Sequence, residues 1–313
     1  MKILITGSAG FIGSHTAERF ADSGHTVIGI DCFTPYYNIE LKKLNAQDIA
    51  KKGVETINRN LATDDITDLV KDVDIAFHMA AQPGISETTP FDIFVKNNIV
   101  ATHNLMEALK AVPNFKGLIN ISTSSIYGAH ATDSEEAPPK PTSLYGVTKL
   151  GAEQELLANY RDGNFPTCSL RLFSVYGERE RPEKLYPKLI KCIFEDTEFP
   201  LFEGSEHHKR SYTYIADVVD SFVAVVENLD KCLGEIINIG IDKVDTTGEG
   251  IEIVEEIIGK KAKIKNVPKR AGDQLETRAN IEKARRLLGY EPKTPLREGL
   301  EKQVKWFEEK FYA

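Results

Sequence analysis

The twelve residues Lys2–Gly13 read K-I-L-I-T-G-S-A-G-F-I-G, and they restrict the fold more than any other stretch. Ile3-Leu4-Ile5 is a short apolar run suited to a strand buried on both faces. Gly7, Gly10 and Gly13 follow at G-x-x-G-x-x-G spacing, where a helix should begin. At those positions Gly7 permits a tight turn. Gly10 lets backbone approach a diphosphate, and Gly13 lets helix lie close on strand. The free N–H groups of a helix start favour an anion. A second apolar run, Thr26-Val27-Ile28-Gly29-Ile30, ends in Asp31, where a carboxylate can accept from a ribose diol. Strand, glycine trio, helix and acid in this order predict a dinucleotide site.

Strand-like runs recur at Lys2–Thr6, Thr26–Ile30, Val54–Asn58, Asp74–His78, Gly117–Ser122 and Thr167–Leu172. Helical patterns lie between them, at Phe11–Asp22, Leu41–Lys51, Asp65–Lys71, Phe91–Val112 and Leu144–Tyr160. This alternation predicts an α/β protein with a Rossmann-type doubly wound parallel sheet. After Leu172 the pattern is mixed. Helices are expected at Tyr186–Phe194, Ala216–Leu229, Ile251–Ile258, Ile281–Leu288 and Leu296–Phe311, with a strand at Ile236–Ile239. The expected organisation is a dinucleotide domain over residues 1–172 that takes back about 211–240. A smaller α/β substrate lobe then comprises 173–210 and 241–313.

The chain has 313 residues and a formal charge of −8, which argues against nucleic acid and anionic membranes as partners. Cys32, Cys168, Cys192 and Cys232 are widely spaced, so neither a metal site nor a disulfide framework is expected. No run approaches bilayer length, and a reducing cytoplasm is the expected setting.

Leu144-Tyr145-Gly146-Val147-Thr148-Lys149 places Tyr145 and Lys149 at i and i+4, one helical turn apart on one face. A free phenol with a pKa of ~10 is a poor base at neutral pH. A nearby ammonium and an oxidised nicotinamide ring favour the phenolate, so Lys149 and the cationic ring together are expected to bring Tyr145 down. Ile119–Ser122 forms a strand that runs into the hydroxyl-rich turn Thr123-Ser124-Ser125. The carboxyl end of a parallel strand is where such sheets bind ligands, so Thr123 can share a proton with Tyr145.

With these residues in view, the chain resembles an extended short-chain dehydrogenase/reductase of the nucleotide-sugar epimerase and dehydratase group. The markers are Gly7/Gly10/Gly13, Asp31, His78-Met79-Ala80-Ala81, Asn97, Thr123–Gly128, Tyr145/Lys149, Leu170–Gly177, Arg210–Val218 and Arg270-Ala271-Gly272-Asp273. The resemblance implies NAD, with Phe11 and Ile12 at the pyrophosphate, Asp31 on the adenosine ribose and Asn60-Leu61 beside the adenine. Relatives often carry Asp where this chain has Asn60. Ala80, Ala81 and Gln82 are implied on the nicotinamide side, with Lys149 on its ribose and Asn97 among the cofactor-binding residues; His78, in a buried strand, reads as structural. On the substrate side it implies Arg210 and Arg270 on a diphosphate, Asp273 on the second ribose and Leu201-Phe202 over uracil. Pro83, Gly84, Ser124, Ser125, Ser174 and Arg181 are implied around the sugar.

The group's common first step is oxidation at sugar C4 with Tyr145 as base. Dehydratases and decarboxylases of the group carry carboxylates where this chain has Ser124 and Ser125, so 4-epimerisation of a UDP-sugar is the reaction implied. Ala80-Ala81-Gln82-Pro83-Gly84 and Phe173–Gly177 are similar to the UDP-glucuronate branch. Ser86 stands where many uronate enzymes have arginine, so UDP-glucose/UDP-galactose and N-acetylhexosamine forms stay open. A dehydratase, a decarboxylase or a non-enzymatic NAD-binding regulator are further alternatives. The resemblance also implies a homodimer, through helices near Phe91–Val112 and Leu144–Tyr160.

Overall fold

A computed structural model describes residues 1–84, 89–269 and 274–312. Seven strands form one parallel sheet: β1 (Lys2–Thr6), β2 (Thr26–Asp31), β3 (Glu55–Asn58), β4 (Ile75–His78), β5 (Gly117–Thr123), β6 (Thr167–Leu172) and β7 (Ile236–Ile239). Their order across the sheet is β3-β2-β1-β4-β5-β6-β7. Strand order reverses beside β1, which pairs with β2 on one edge and β4 on the other. A crevice opens at such a reversal, outside the carboxyl ends of the strands. The strands are short and apolar because both faces are covered. Phe20, Phe77 and Phe222 pack on one face, with ring centroids 5.2 and 5.6 Å apart. Leu4, Ile30, Leu105, Met106 and Leu156 pack on the other.

β7 returns the chain to this sheet after the excursion that begins at Phe173. A separate core of Tyr176, Tyr186, Leu189, Ile190, Val254 and Leu300 supports the remaining residues. A small sheet joins the two parts, since His130–Ala131 pairs with Glu276–Thr277, which pairs with Lys209–Arg210. No helix among the described residues is long and apolar enough to cross a membrane.

Local chemistry moves several element ends away from the sequence expectation. The Asn38 side chain accepts from Glu40 N, so that helix begins at Ile39. A capping box between Thr246 and Glu249 starts another at Thr247, four residues before the apolar pattern does. The long helix expected over Phe91–Val112 runs to Lys110 and contains a π-helical segment at Val95–Val100.

Candidate active site

The glycine turn is built by contact. A Cβ on Gly13 would lie 2.1 Å from the Gly7 carbonyl oxygen, and one on Gly7 would lie 2.8 Å from Ala80 N. Helix, turn and the loop after β4 therefore meet with no room for side chains. Gly10, the N-cap of the helix Phe11–Asp22, differs: its Cβ would meet only the Gly7 oxygen, at 3.1 Å. Backbone is bared there toward a cavity of about 540 Å³. Beside it, the Asp31 carboxylate accepts from Ala9 N at 3.2 Å and Phe33 N at 2.8 Å. These amides orient it while leaving lone pairs for a diol. Bared backbone at a helix start and an oriented carboxylate across the strand reversal fit the diphosphate and ribose of NAD.

Thr123 ends β5, and its Oγ1 accepts from Ser125 N at 3.1 Å, turning the chain through Ser124–Tyr127. The helix Leu144–Gly163 starts against this turn. A Cβ on Gly146 would lie 2.8 Å from the Ser125 oxygen, and the Ser143 hydroxyl caps the helix by accepting from Gly146 N. That close approach brings the Tyr145 phenol beside the Thr123 hydroxyl, which favours its ionised form. Lys149, one turn on, is almost fully buried on the same face.

In the protein alone the surroundings favour the neutral phenol. Burial raises the Tyr145 phenol above its ordinary value, opposed by the neighbouring Thr123 hydroxyl and the Arg181 charge. Lys149 does not act as the lowering group in the protein alone. Its own ammonium is brought down to about 8 by burial, against the pull of Glu153. A phenolate at neutral pH therefore requires positive charge beyond what these residues supply.

Every site residue expected from the sequence and described by the structure lines this one cavity. Gly7, Gly10, Phe11, Ile12, Gly13, Asp31, Asn60 and Leu61 line one end, with Ala80, Ala81, Gln82, Pro83, Gly84 and Asn97 along the middle. Thr123, Ser124, Ser125, Tyr145, Lys149, Ser174, Arg181, Leu201, Phe202 and Arg210 complete it. Arg270, Asp273 and Ser86 lie outside the described residues. Arg181 pairs with Glu183 at 2.7 Å and lies over the Tyr36 ring, 5.4 Å from its centroid. The Asn60 side chain accepts from Ala62 N and shapes its own turn.

Sequence reasoning passed over Asn98. It is buried beside Asn97, accepts from Gln82 N at 2.7 Å and donates to Gln82 O and Thr148 Oγ1. Tyr36, Lys42 and Glu180 also line the cavity. The first two sit near a strand-to-helix loop that matches no motif, so only the fold reveals them.

Comparison with known proteins places this geometry in context. Residues 3–240 match the model of the "NAD dependent epimerase/dehydratase family". The chain is 37% identical over 309 residues to "Uncharacterized UDP-glucose epimerase YtcB" of Bacillus subtilis, covering 97% of each. It is 31% identical to the "Probable UDP-glucuronate 4-epimerase" of Rhizobium meliloti, covering 99% of this chain and 98% of the relative. Among solved structures, UDP-glucuronic acid 4-epimerase from Bacillus cereus, in complex with UDP-glucuronic acid and NAD, superposes with a TM-score of 0.93. The two share 36% identity over 99% of each chain.

Proposed function

Because the chain belongs to the NAD-dependent epimerase/dehydratase family, we propose that it is a UDP-sugar 4-epimerase whose preferred pair is UDP-glucuronate and UDP-galacturonate. Thr123 and Tyr145 side by side in the cavity at the carboxyl end of β5, on a turn that offers hydroxyls and no carboxylate, carry this reading. NAD, when bound along the glycine turn and Asp31, supplies the hydride acceptor and donor for sugar C4. Tyr145 Oη takes the proton of the C4 hydroxyl through the Thr123 contact and returns it after the keto sugar turns over. The Lys149 ammonium, one turn along on the same face, is placed for the nicotinamide ribose, and the cationic ring of bound NAD would supply the further positive charge that the Tyr145 phenolate needs. The hydroxyls of Ser124 and Ser125 are too weak as acid and base to drive elimination at C5 or C6, so reduction on the other face is the course left open.

The cation at Arg181 and the hydroxyls of Ser124, Ser125 and Ser174 support a uronate, since together they answer a C6 carboxylate. A UDP-glucose/UDP-galactose or N-acetylhexosamine 4-epimerase is the second reading, and the Bacillus subtilis relative's name favours it. Residues 1–172 with 211–240 form the cofactor domain in this proposal, and 173–210 with 241–313 hold the nucleotide sugar. Arg270 and Asp273 complete that hold. A cytoplasmic homodimer fits the exposed Phe91, Val100, Leu144 and Val147 on the two long helices.

The test is to incubate the NAD-loaded protein with UDP-glucuronate, UDP-glucose and UDP-N-acetylglucosamine and resolve C4 epimers. UDP-glucuronate should be converted fastest, and Tyr145→Phe should lose turnover by about a thousandfold or more while still retaining NAD. Release of CO₂ or a keto product, or no epimer from any of the three, defeats the proposal.

A further inference from the structure

The helix Leu144–Gly163 carries three ionisable side chains along one stripe, Tyr145, Lys149 and Glu153, at successive four-residue steps. The chemistry above uses the first two. Glu153 has no exposed surface, and both of its carboxylate oxygens are taken by Arg171, with Nε at 3.1 Å and Nη2 at 2.6 Å. Arg171 projects from β6, in register with Ser122 of β5 and Asn238 of β7. Its guanidinium lies over the Tyr127 ring, 4.9 Å from the centroid, and the Tyr127 hydroxyl donates to Asn238 Oδ1 at 2.8 Å.

Burying such a pair is costly, because both ions lose their water. An apolar pair of similar volume is often as stable or more so. Stability therefore does not account for its presence, but its position does. Glu153 sits one turn beyond Lys149, whose burial pushes its ammonium toward the neutral amine, and Glu153 is the group that opposes this. Among the described residues, His78 at the end of β4 also feels the Lys149 charge and is neutral there, and Tyr145 stands one turn before Lys149 on the same helix. Because Arg171 occupies both carboxylate oxygens, no hydrogen bond joins Glu153 to Lys149 among the described residues. Glu153 thus supplies negative field without drawing the ammonium out of the cavity.

We propose that Glu153, clamped by Arg171, is a positioning residue that keeps Lys149 protonated and directed toward the Tyr145 site. The inference rests on the reading of Tyr145 and Lys149 given above, but its main test needs neither cofactor nor substrate. Lysine labelled with ¹³C at Cε is followed by NMR through a pH titration of the cofactor-free protein, with Lys149→Met identifying the resonance. Compared are wild type, Glu153→Gln and the apolar double variant Glu153→Leu/Arg171→Met. The double variant leaves no unpaired buried charge and covers the case in which Glu153→Gln fails to fold.

The Lys149 midpoint should fall by about one pH unit, a roughly tenfold weaker hold on the proton, in Glu153→Gln, and by less but still measurably in the double variant, which removes the Arg171 cation together with the nearer carboxylate. The alkaline limb of the kcat profile should move to lower pH with it. Arg171→Lys, which keeps a cation on Glu153, should leave both near the wild-type position. A folded variant lacking the carboxylate whose Lys149 midpoint matches wild type overturns the inference, whatever its Tm. Absence of UDP-sugar turnover in wild type would refute the proposed function while leaving the titration to decide this point.

Discussion

Gly10 and Gly13 show how much a single missing methyl group decides, and how differently. On Gly13 an added Cβ would meet the carbonyl of Gly7 at 2.1 Å, backbone against backbone, so neither side can give way. Gly13→Ala should therefore cost roughly 3 kcal/mol or more of folding stability, seen as a lower urea midpoint. Gly10→Ala meets one atom at 3.1 Å and otherwise open space. Its fold should change by about 1 kcal/mol or less, while NAD retained through purification falls at least tenfold. Equal losses of stability in the two variants would contradict this division of roles. The close packing at Gly13 was legible from the order of strand, glycine trio and helix, because a strand-turn-helix junction tolerates side chains at few positions. The raised Tyr145 phenol was not legible, since desolvation depends on what the fold stacks over the ring, and no local pattern carries that.

The long helix that opens at Phe91 shows where element-level reading ran out. Periodicity marked its extent well and missed the π-helical segment Val95–Val100, an extra residue in one turn that changes the face each later side chain presents. Asn97 matched a family marker, yet its neighbour Asn98 is the residue that ties the helix to two other elements. Its amide pairs with both backbone groups of the buried Gln82 and with Thr148 on the helix that bears Tyr145 and Lys149. Asn98→Ala leaves the Gln82 N–H and C=O without partners, at about 1–3 kcal/mol for each group. A loss of about 3 kcal/mol in urea unfolding is expected, with weaker NAD binding because the loop Ala80–Gly84 is no longer fixed to the catalytic helix. A loss below about 1 kcal/mol would mean that water or another side chain takes over both bonds.

Across the whole molecule, a buried polar thread joins the first strand to the site, and it makes stability depend on pH in a definite sense. His78 Nδ1 lies 2.8 Å from Thr6 Oγ1, and Nε2 lies 2.8 Å from Thr102 Oγ1. The Thr102 hydroxyl donates to Asn98 O, so it must accept from a protonated Nε2. The Thr6 hydroxyl accepts from Met79 N and Ala80 N, so its one proton goes to Nδ1. The ring is thereby fixed as the neutral Nε2–H tautomer, holding the cofactor-side loop on β1. Burial, then the charge of Lys149, lowers its pKa to about 3. A second proton would set two donors against each other at Nδ1. Below pH 6.5 the unfolded chain binds a proton that the folded chain refuses, so this contribution is lost as pH falls from 6.5 toward 3. At pH 5 the loss is about 2 kcal/mol. Glu180, which burial raises to about 7, acts in the opposite sense, its stabilisation fading as pH rises through that value. The two are separated by comparing urea unfolding of wild type and His78→Asn at pH 7 and pH 5. Glu180 acts equally in both proteins, so the wild type should lose about 2 kcal/mol more than the variant on acidification, although the variant starts less stable. Parallel losses would show that the ring is protonated in the folded protein, and the tautomer assigned from Thr6 and Thr102 would fall with it.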